Sequence, residues 1–476
     1  MRLTELLKDI DCKVLGNKFR NITHLTNLAQ DCDKNSIYFC LNSKDNILWI
    51  DKAIQNGCRV VVTEQSIQNN KITQIVVSSA RKAMSAMAST FYNNPAKKLK
   101  IIGVTGTNGK TTTTFMIAHI ISLTNKTAIV GTNGVYYDNK KIDTNLTTPD
   151  PITLHKLFAD MVENGIEYVV MEISAHAIYY QKLWGIMPDI IAFTNLSQDH
   201  LDFFENMDNY FNAKLQIFKE QNYKTAIICT DTPYGNKIAE VSKNCITCST
   251  NNNSANIFAT NITHTSINQT YQVFTKNASG IIKLNMLGEF NIQNSLVAIS
   301  VCLSLGLSLD QISSRLETLN GVSGRFECYN NGKNTIIVDF AHTPDGLQNL
   351  LKTAKQVAGK NKVISVFGCG GNRDSQKREL MGAISEKFAD YTIITTDNPR
   401  FEDNYAIAQD IAKGFNKNKW QIVLDRGQAV RVALDMCHNG DIVVLAGKGA
   451  ENYTQIKDAK IEGTDKELVQ NILNIK

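Results

Sequence analysis

Short apolar runs, each ending in a polar or glycine-bearing turn and followed by apolar residues at helical spacing, set the rhythm of most of this chain. The run Leu99–Val104 leads through glycines at 103, 106 and 109 into Phe115, Met116, Ile117, Ile120 and Ile121, which predicts a strand, a tight loop and a helix. Lys126–Thr132, Tyr168–Ser174, Asp189–Leu196 and Thr225–Asp231 are further short β-rich runs, separated by helical stretches such as Thr153–Gly165. Such alternation predicts an α/β chain whose central sheet is mostly parallel, with helices on both faces. A polar, asparagine-rich passage from Asn251 to Gly280 interrupts it and suits one or two antiparallel hairpins, and a helix from Asn291 to Leu305 follows.

The flanks carry the same alternation. Before Leu99, Ser36–Leu41 and Arg59–Thr63 predict strands and Arg81–Tyr92 a helix, with no catalytic constellation among them. Asn94-Pro95, followed by Lys97 and Lys98, has the composition of a linker. Beyond Arg325, strands Lys362–Phe367, Tyr391–Thr396 and Asp441–Ala446 each run into a polar or glycine-rich loop: GCGGNRD, DNPRFED and GKGAEN. Ligands of open α/β sheets sit beyond the carboxyl ends of the strands, so these three loops are expected to line one pocket.

Composition narrows the class without deciding it. A chain of 476 residues with 43% hydrophobic content suits roughly two to four ordinary globular domains. The net charge of +5 has no cluster behind it, so nucleic acid is not expected as a partner, although the balance suits an anionic substrate. Neither a secretion signal nor a run of about eighteen apolar residues is present, so no membrane span is expected. Eleven scattered cysteines point to a reducing cytosol; Cys245 and Cys248 have C-x-x-C spacing but no second pair or histidine at metal-site distance.

The candidate chemistry centres on GVTGTNGKTTTT, Gly103–Thr114. In such a loop the glycines at 106 and 109, with Thr107 and Asn108 between them, let backbone N–H groups wrap phosphate oxygens, and the helix N-terminus adds positive potential. Lys110 would reach the terminal phosphates and Thr111, followed by Thr112, would hold Mg²⁺: an ATP site. The usual P-loop spacing would need glycine where Val104 stands. Glu172, at the end of an apolar strand, lies where a P-loop ATPase places the carboxylate that completes Mg²⁺ coordination. Asp199, His200 and Asp202 follow another strand, and their pattern allows either a capped polar loop or, beside an ATP site, a second metal ligand in His200. Arg325 and the segment VDFAHTPD, with Asp339, His342 and Asp345, allow either a junction ion pair with a turn or a phosphate-neutralising arginine with a ribose acceptor in Asp339. By spacing alone Lys214 is a solvated lysine at the edge of an amphipathic helix.

Taken in order, TGTNGKTT, TTPDP, MEISAH, TNLSQDHLDFF, GEFNIQN, GRFE, DFAHTPD, DNPR and GKGAE resemble the Mur ligases, ATP-dependent amide-forming enzymes of peptidoglycan synthesis. The similarity runs from Lys98 onward and is weaker before it. It implies a cytoplasmic monomer of three domains: 1–97 for the uridine nucleotide, 98–324 for ATP, and a Rossmann-like 325–476 that brings the amino acid and closes over the site. The implied reaction activates a D-glutamyl carboxylate as an acyl phosphate. The resemblance further makes Lys214 a carbamylated lysine that, with Thr111, Glu172 and His200, holds Mg²⁺. It sets Asn291 and Asn294 beside adenine, Arg325 and Asp339 over the nucleotide, and Thr147, Thr148, Ser174 and Lys182 on UDP-N-acetylmuramoyl-L-alanyl-D-glutamate.

Arg373, Asp397, Asn398, Pro399, Arg400, Gly447 and Glu451 would then hold the incoming amino acid. DNPR accompanies members that add meso-diaminopimelate: the Arg400 fork matches a second carboxylate that lysine lacks, Arg373 adds a cation, and Glu451 would pair with the distal ammonium. A lysine-adding relative and a regulatory P-loop ATPase that ligates nothing are the competing readings. The chain departs from the family pattern at Ala450 for histidine, at Asn372 in GNRD, at Leu146, Tyr180 and Lys182, and at Leu25-Thr26-Asn27 in place of aspartate-serine-arginine.

Overall fold

Apolar strands gather into three main sheets of five, eleven and six strands, with a separate two-stranded ribbon near the C-terminus. The α/β architecture expected from the alternation is therefore observed. A computed structural model describes residues 1–41, 46–69, 71–265, 267–330 and 332–473. Two compact units emerge from the packing, one of Met1–Gly103, Thr124–Ile191 and Glu220–Lys224, the other of Val104–Leu123, Ala192–Lys219 and Thr225–Lys476.

In the first unit the five-stranded sheet runs Cys12–Leu15, Thr73–Val77, Val60–Thr63, Ser36–Phe39, His24–Thr26, antiparallel at the first pair and parallel thereafter. Val60–Thr63 is buried along its whole length because both faces are covered. Successive residues serve opposite faces: Val60 and Val62 pack with Ile37, Phe39 and Met87, while Val61 packs with Tyr38, Cys58 and Ile50. The helix Ala80–Phe91 contributes Ala83, Met84 and Met87 to the first of these cores, and Ser79 caps it by accepting from the Lys82 amide. Asn94, with φ of 51°, leads into a 3-10 turn at Pro95–Lys98, so the expected linker is ordered.

The same unit holds the strands Thr127–Gly131 and Tyr168–Glu172, paired in parallel, and the helix Pro151–Glu163. On that helix His155 is fully buried, and neither ring nitrogen has a hydrogen-bond partner among the described residues. Burial depresses its pKa to about 4.

The second unit carries the helices Lys110–Ile121 and Glu289–Ser304, which pack on each other and are buried on most sides. Its asparagine-rich passage forms two antiparallel hairpins, Ile257–His264 with Gln269–Phe274 and Gln269–Phe274 with Ser279–Leu284. Cys248 lies opposite Cys229 on parallel neighbours, and all eleven cysteines are free thiols. The six-stranded sheet runs Glu327–Asn330, Thr335–Asp339, Ile442–Ala446, Val363–Phe367, Tyr391–Ile394, Trp420–Ile422, antiparallel only at the first pair. Its parallel strands point their carboxyl ends at one edge, where the three expected loops leave.

Candidate active site

The strand Lys100–Thr105 delivers the chain into the 106–109 loop, and the helix beginning at Lys110 takes it away. Two glycines make this passage possible. Gly106 has φ of +146° and a Cβ there would strike Thr194 Oγ1; Gly109 has φ of +82° and its Cβ would strike Asn294 Oδ1. The segment after Phe193 braces the loop from outside: the Thr107 amide donates to Asn195 O at 2.9 Å and the Asn108 amide to Asn195 Oδ1 at 2.9 Å. Thr107 Oγ1 bonds Ser197 O and the Tyr210 hydroxyl, at 3.2 and 3.1 Å. Thr111 and Thr112 are buried in the first helical turn. Asn291 Nδ2 donates to Leu287 O and accepts on Oδ1 from Asn294 Nδ2, which sets Asn294 beneath Gly109.

Two ammonium groups converge on one carbonyl. Lys110 Nζ donates to Gly106 O at 3.0 Å and Thr107 O at 2.7 Å, and Lys214 Nζ donates to Gly106 O at 2.9 Å. Spacing alone places Lys214 in solvent, but in the structure it sits inside the helix Met207–Glu220, 1% exposed, its Nζ 5.0 Å from the centre of the Tyr210 ring. A helical stripe of Tyr210, Phe211, Lys214, Leu215 and Phe218 turns inward, and the lysine shares it. Burial, reinforced by the charge of Lys110, pushes the Lys214 pKa well below the usual lysine range.

Residues distant in sequence meet the loop. Arg325 Nη2 donates to Thr111 Oγ1 at 2.8 Å, and its guanidinium stacks on Phe340, 4.3 Å from the ring centre. Asn108 Nδ2 donates to Asp345 Oδ2 at 3.0 Å. Asp339 accepts from the Phe326 and Ala341 amides, at 2.7 Å each, and burial raises its pKa despite the nearby Arg325. His200, in the left-handed region at φ 57°, approaches Asp199 Oδ2 at 3.2 Å; His342 and Lys377 approach the same carboxylate at 3.6 and 3.7 Å. Burial alone would raise the Asp199 pKa, but His200, a hydrogen bond to His342 and the charge of Lys377 outweigh it and hold the carboxyl well below its ordinary value. Lys377 was not singled out in the sequence, since a lysine early in a polar helix reads as solvated.

The first unit contains its own polar cluster. Glu172 is 1% exposed and accepts from the Thr132 amide at 2.8 Å and from Thr132 Oγ1 at 3.1 Å. Thr132 Oγ1 also bonds Thr147 Oγ1 at 3.1 Å. Thr148 Oγ1 lies 2.9 Å from Glu172 O and accepts from the Ser174 amide at 3.0 Å. Lys182 Nζ donates to Thr148 O at 3.1 Å and pairs with Asp150 at 2.9 Å. Thr147, Thr148, Ser174 and Lys182 therefore stand together around one turn.

In the second unit the three loops beyond the six-stranded sheet bond to one another. Asn398 Nδ2 donates to Glu451 at 2.8 Å, Arg400 Nη1 donates to Gly371 O at 2.8 Å, and the Gly371 amide donates to Asn398 O at 2.9 Å. Gly447, at φ +112°, donates its amide to Asp339 O and passes close to the Asp397 carboxylate. The ribbon Tyr453–Ile456 and Ala459–Glu462 joins the wall, since the Arg400 amide donates to Gln455 O at 3.0 Å and the Lys457 amide to Arg400 O at 2.7 Å. These loops carry two arginines, the exposed Arg373 and the half-buried Arg400, and two carboxylates, the buried Asp397 and the half-buried Glu451. Burial and the neighbouring charge of Arg373 lower the Arg400 pKa; burial and Asp397 raise that of Glu451. Pro399 accepts the Glu402 amide at 3.0 Å and fixes the turn.

The donor set suits a phosphate. The glycine cradle would be filled by any Cβ, and a 12-residue helix starts directly behind it. Among the described residues no group of three His, Cys, Asp or Glu side chains stands ready for a metal. The expected set differs in kind: Thr111, His200 and Lys214 belong to one unit, Glu172 to the other. No helix among the described residues is long and apolar enough to cross a membrane.

Comparison with known proteins bears on the same segments. Residues 104–302 match the Mur ligase middle domain and residues 324–449 the Mur ligase glutamate ligase domain. The UDP-N-acetylmuramoyl-L-alanyl-D-glutamate--2,6-diaminopimelate ligase of Clostridium tetani is 40% identical, over 99% of both chains. The ligase of the same name from Clostridium botulinum is 38% identical over 99% of both. A solved structure of a UDP-N-acetylmuramoyl-L-alanyl-D-glutamate--2,6-diaminopimelate ligase superposes with a TM-score of 0.70 at 27% identity, covering 100% of this chain and 99% of that one.

Proposed function

This chain belongs to the Mur ligase family, and we propose that within it the protein joins meso-diaminopimelate to the D-glutamate of UDP-N-acetylmuramoyl-L-alanyl-D-glutamate, at the expense of ATP, in the cytoplasmic stage of peptidoglycan synthesis. One observation carries the choice of amino acid. The pocket of Arg373, Arg400, Asp397 and Glu451 offers cations for a carboxylate and carboxylates for an ammonium, and the distal centre of diaminopimelate has one of each. Lysine, with no distal carboxylate, would offer the two arginines no anionic partner from the substrate.

The glutamyl carboxylate is a poor electrophile. One of its oxygens attacks the γ-phosphorus of ATP, ADP leaves, and an acyl phosphate forms; the neutral amine of diaminopimelate then attacks the acyl carbon, and phosphate departs as the amine gives up a proton. The 106–109 cradle and Lys110 hold the phosphates, Asn291 and Asn294 border the base, and Arg325 swings its guanidinium from Thr111 to the transferred group. Thr111, Glu172, His200 and a carbamylated Lys214 would hold Mg²⁺, which supplies charge neutralisation at the phosphoryl oxygens when bound. Burial favours the neutral amine of Lys214, the form that takes up CO₂, and this supports carbamylation. Thr147, Thr148, Ser174 and Lys182 would hold the nucleotide-dipeptide. Working as a monomer of three modules, 1–97, 98–324 and 325–476, the chain shields the acyl phosphate from water.

Phosphate release is the test, with ATP, Mg²⁺ and UDP-N-acetylmuramoyl-L-alanyl-D-glutamate present and meso-diaminopimelate or L-lysine added in parallel, the product weighed by mass spectrometry. A mass gain with diaminopimelate alone is expected. Product only with lysine would discard the reading of Arg400, and phosphate without any ligated product would leave an ATPase that ligates nothing.

A further inference from the structure

Two residues of the loops that carry Arg373 and Arg400 stand in the left-handed backbone region, which asparagine tolerates and arginine seldom adopts. Asn372 has φ of 50° and Arg400 φ of 51°, both in the left-handed region, and neither is glycine. Such residues persist only where their surroundings hold them. What holds them is a set of bonds that closes loop 370–374 onto loop 398–402. The Asn372 amide donates to Glu402 Oε1, the Phe401 amide returns a bond to Asn372 Oδ1 at 3.1 Å, and Gly371 packs so tightly on Pro399 O that a Cβ could not enter.

Behind this closure lies Arg378, in the first turn of the helix Gln376–Phe388 and 3% exposed at its side chain. Its Nη2 donates to Glu402 Oε2 at 2.8 Å and its Nη1 to Asp410 Oδ2 at 3.1 Å, on the helix Asn404–Ala412. Glu402 is thus shared: one oxygen is fixed by a buried guanidinium on a rigid helix, the other pins the Asn372 amide. Arg373 follows Asn372 directly, and Arg400 precedes Phe401 directly, so the two pocket arginines inherit their positions from this pair.

We propose that Arg378 and Glu402 are positioning residues that clamp the two arginine-bearing loops into one unit, so that recognition of the distal carboxylate depends on a pair that does not touch the amino acid. The clamp forces two like charges, Arg373 and Arg400, to face each other, an arrangement that favours a dianion-like or carboxylate guest over a cation. The inference rests on the function proposed above for its substrate, while the clamp itself has a readout of its own.

The test uses full-length Glu402→Gln, with Arg378→Lys and the double variant beside it, each checked for folding by thermal melting. Glu402→Gln is expected to raise the KM for meso-diaminopimelate about tenfold, to leave the KM values for ATP and for the nucleotide-dipeptide within about twofold, and to speed hydrogen exchange at the Asn372 amide about tenfold. The double variant should lose little more than either single one, because the pair acts as a unit. Unchanged exchange at Asn372, or an equal rise in all three KM values, overturns the clamp. Wild-type enzyme without product from diaminopimelate overturns the function proposed above and leaves the clamp to be judged on exchange alone.

Discussion

The 106–109 loop with Lys110 and the loops that carry Arg373 and Arg400 both present charge at the carboxyl ends of parallel strands, yet they are assembled on opposite plans. The loop is one continuous stretch. Two glycines let the backbone turn, Lys110 follows immediately, and Thr194 and Asn195 brace it from a neighbouring strand end. The pocket is drawn from residues 371–373, 397–402 and 447–455, and its members meet only because three strands of one sheet end side by side. A site made of backbone is set by local sequence and tolerates almost no change in it. A site made of side chains on separate loops depends on the bonds that tie those loops together, and it can be retuned one residue at a time.

The contrast can be broken most sharply at Lys110. Lys110→Ala is expected to lower turnover by about a thousandfold or more with the circular dichroism spectrum unchanged, since nothing else in the loop supplies that charge to a transferring phosphoryl group. Full activity in a folded variant would remove the loop from the chemistry. On the other side, Arg400→Ala should raise the KM for diaminopimelate about a hundredfold while the KM for ATP stays put, because a bidentate partner for a carboxylate is lost. An unchanged KM would take the arginine out of the recognition.

Gly109→Ala sharpens the comparison from the backbone side. Its Cβ meets Asn294 and its φ of +82° is unfavourable for alanine, so the KM for ATP should rise about tenfold with that for diaminopimelate untouched. Equal effects on both would mean that the two regions are not independent.

The smallest effect lies outside both. His155 is buried neutral, with its pKa depressed to about 4 against an ordinary 6.5. A histidine whose folded pKa lies below its unfolded value costs stability as pH falls, because the unfolded chain takes the proton first; the loss begins near pH 6.5 and levels off near 4. Between pH 7.5 and pH 5 the first unit should lose about 2 kcal/mol through this residue. Urea unfolding of His155→Leu should show that much less pH dependence than the wild type, and equal dependence in both would reject the assignment.

Much of the architecture was legible before any coordinate. The strand-loop-helix at 100–121 and the paired hairpins after Asn251 follow from periodicities and turn residues that act within a few positions along the chain. Strand ends were overrun by up to three residues, as at Tyr168–Glu172 and Ile190–Phe193, because apolar residues continue past the last ladder bond into the packed turns that follow. Spacing alone leaves Lys214 in solvent, and only the family resemblance moves it to the ATP site. A lysine on an amphipathic helix is ordinarily outside, and only the seating of Tyr210 and Gly106 around it reverses that.

By itself the sequence determined what depends on neighbours along the chain: where glycines let the backbone turn, where helices begin, which face of a strand is apolar, and which residues could carry a charge. Only the tertiary structure decided which charges meet. That Asp199 gathers His342 and Lys377, that Arg325 reaches Thr111 across more than two hundred residues of chain, and that Arg378 bonds Glu402 on a separate loop are all outcomes of how the strands are ordered in their sheets. Burial then set the protonation of what had met, since an ammonium or carboxylate taken out of water answers to the few groups packed against it and no longer to the solvent.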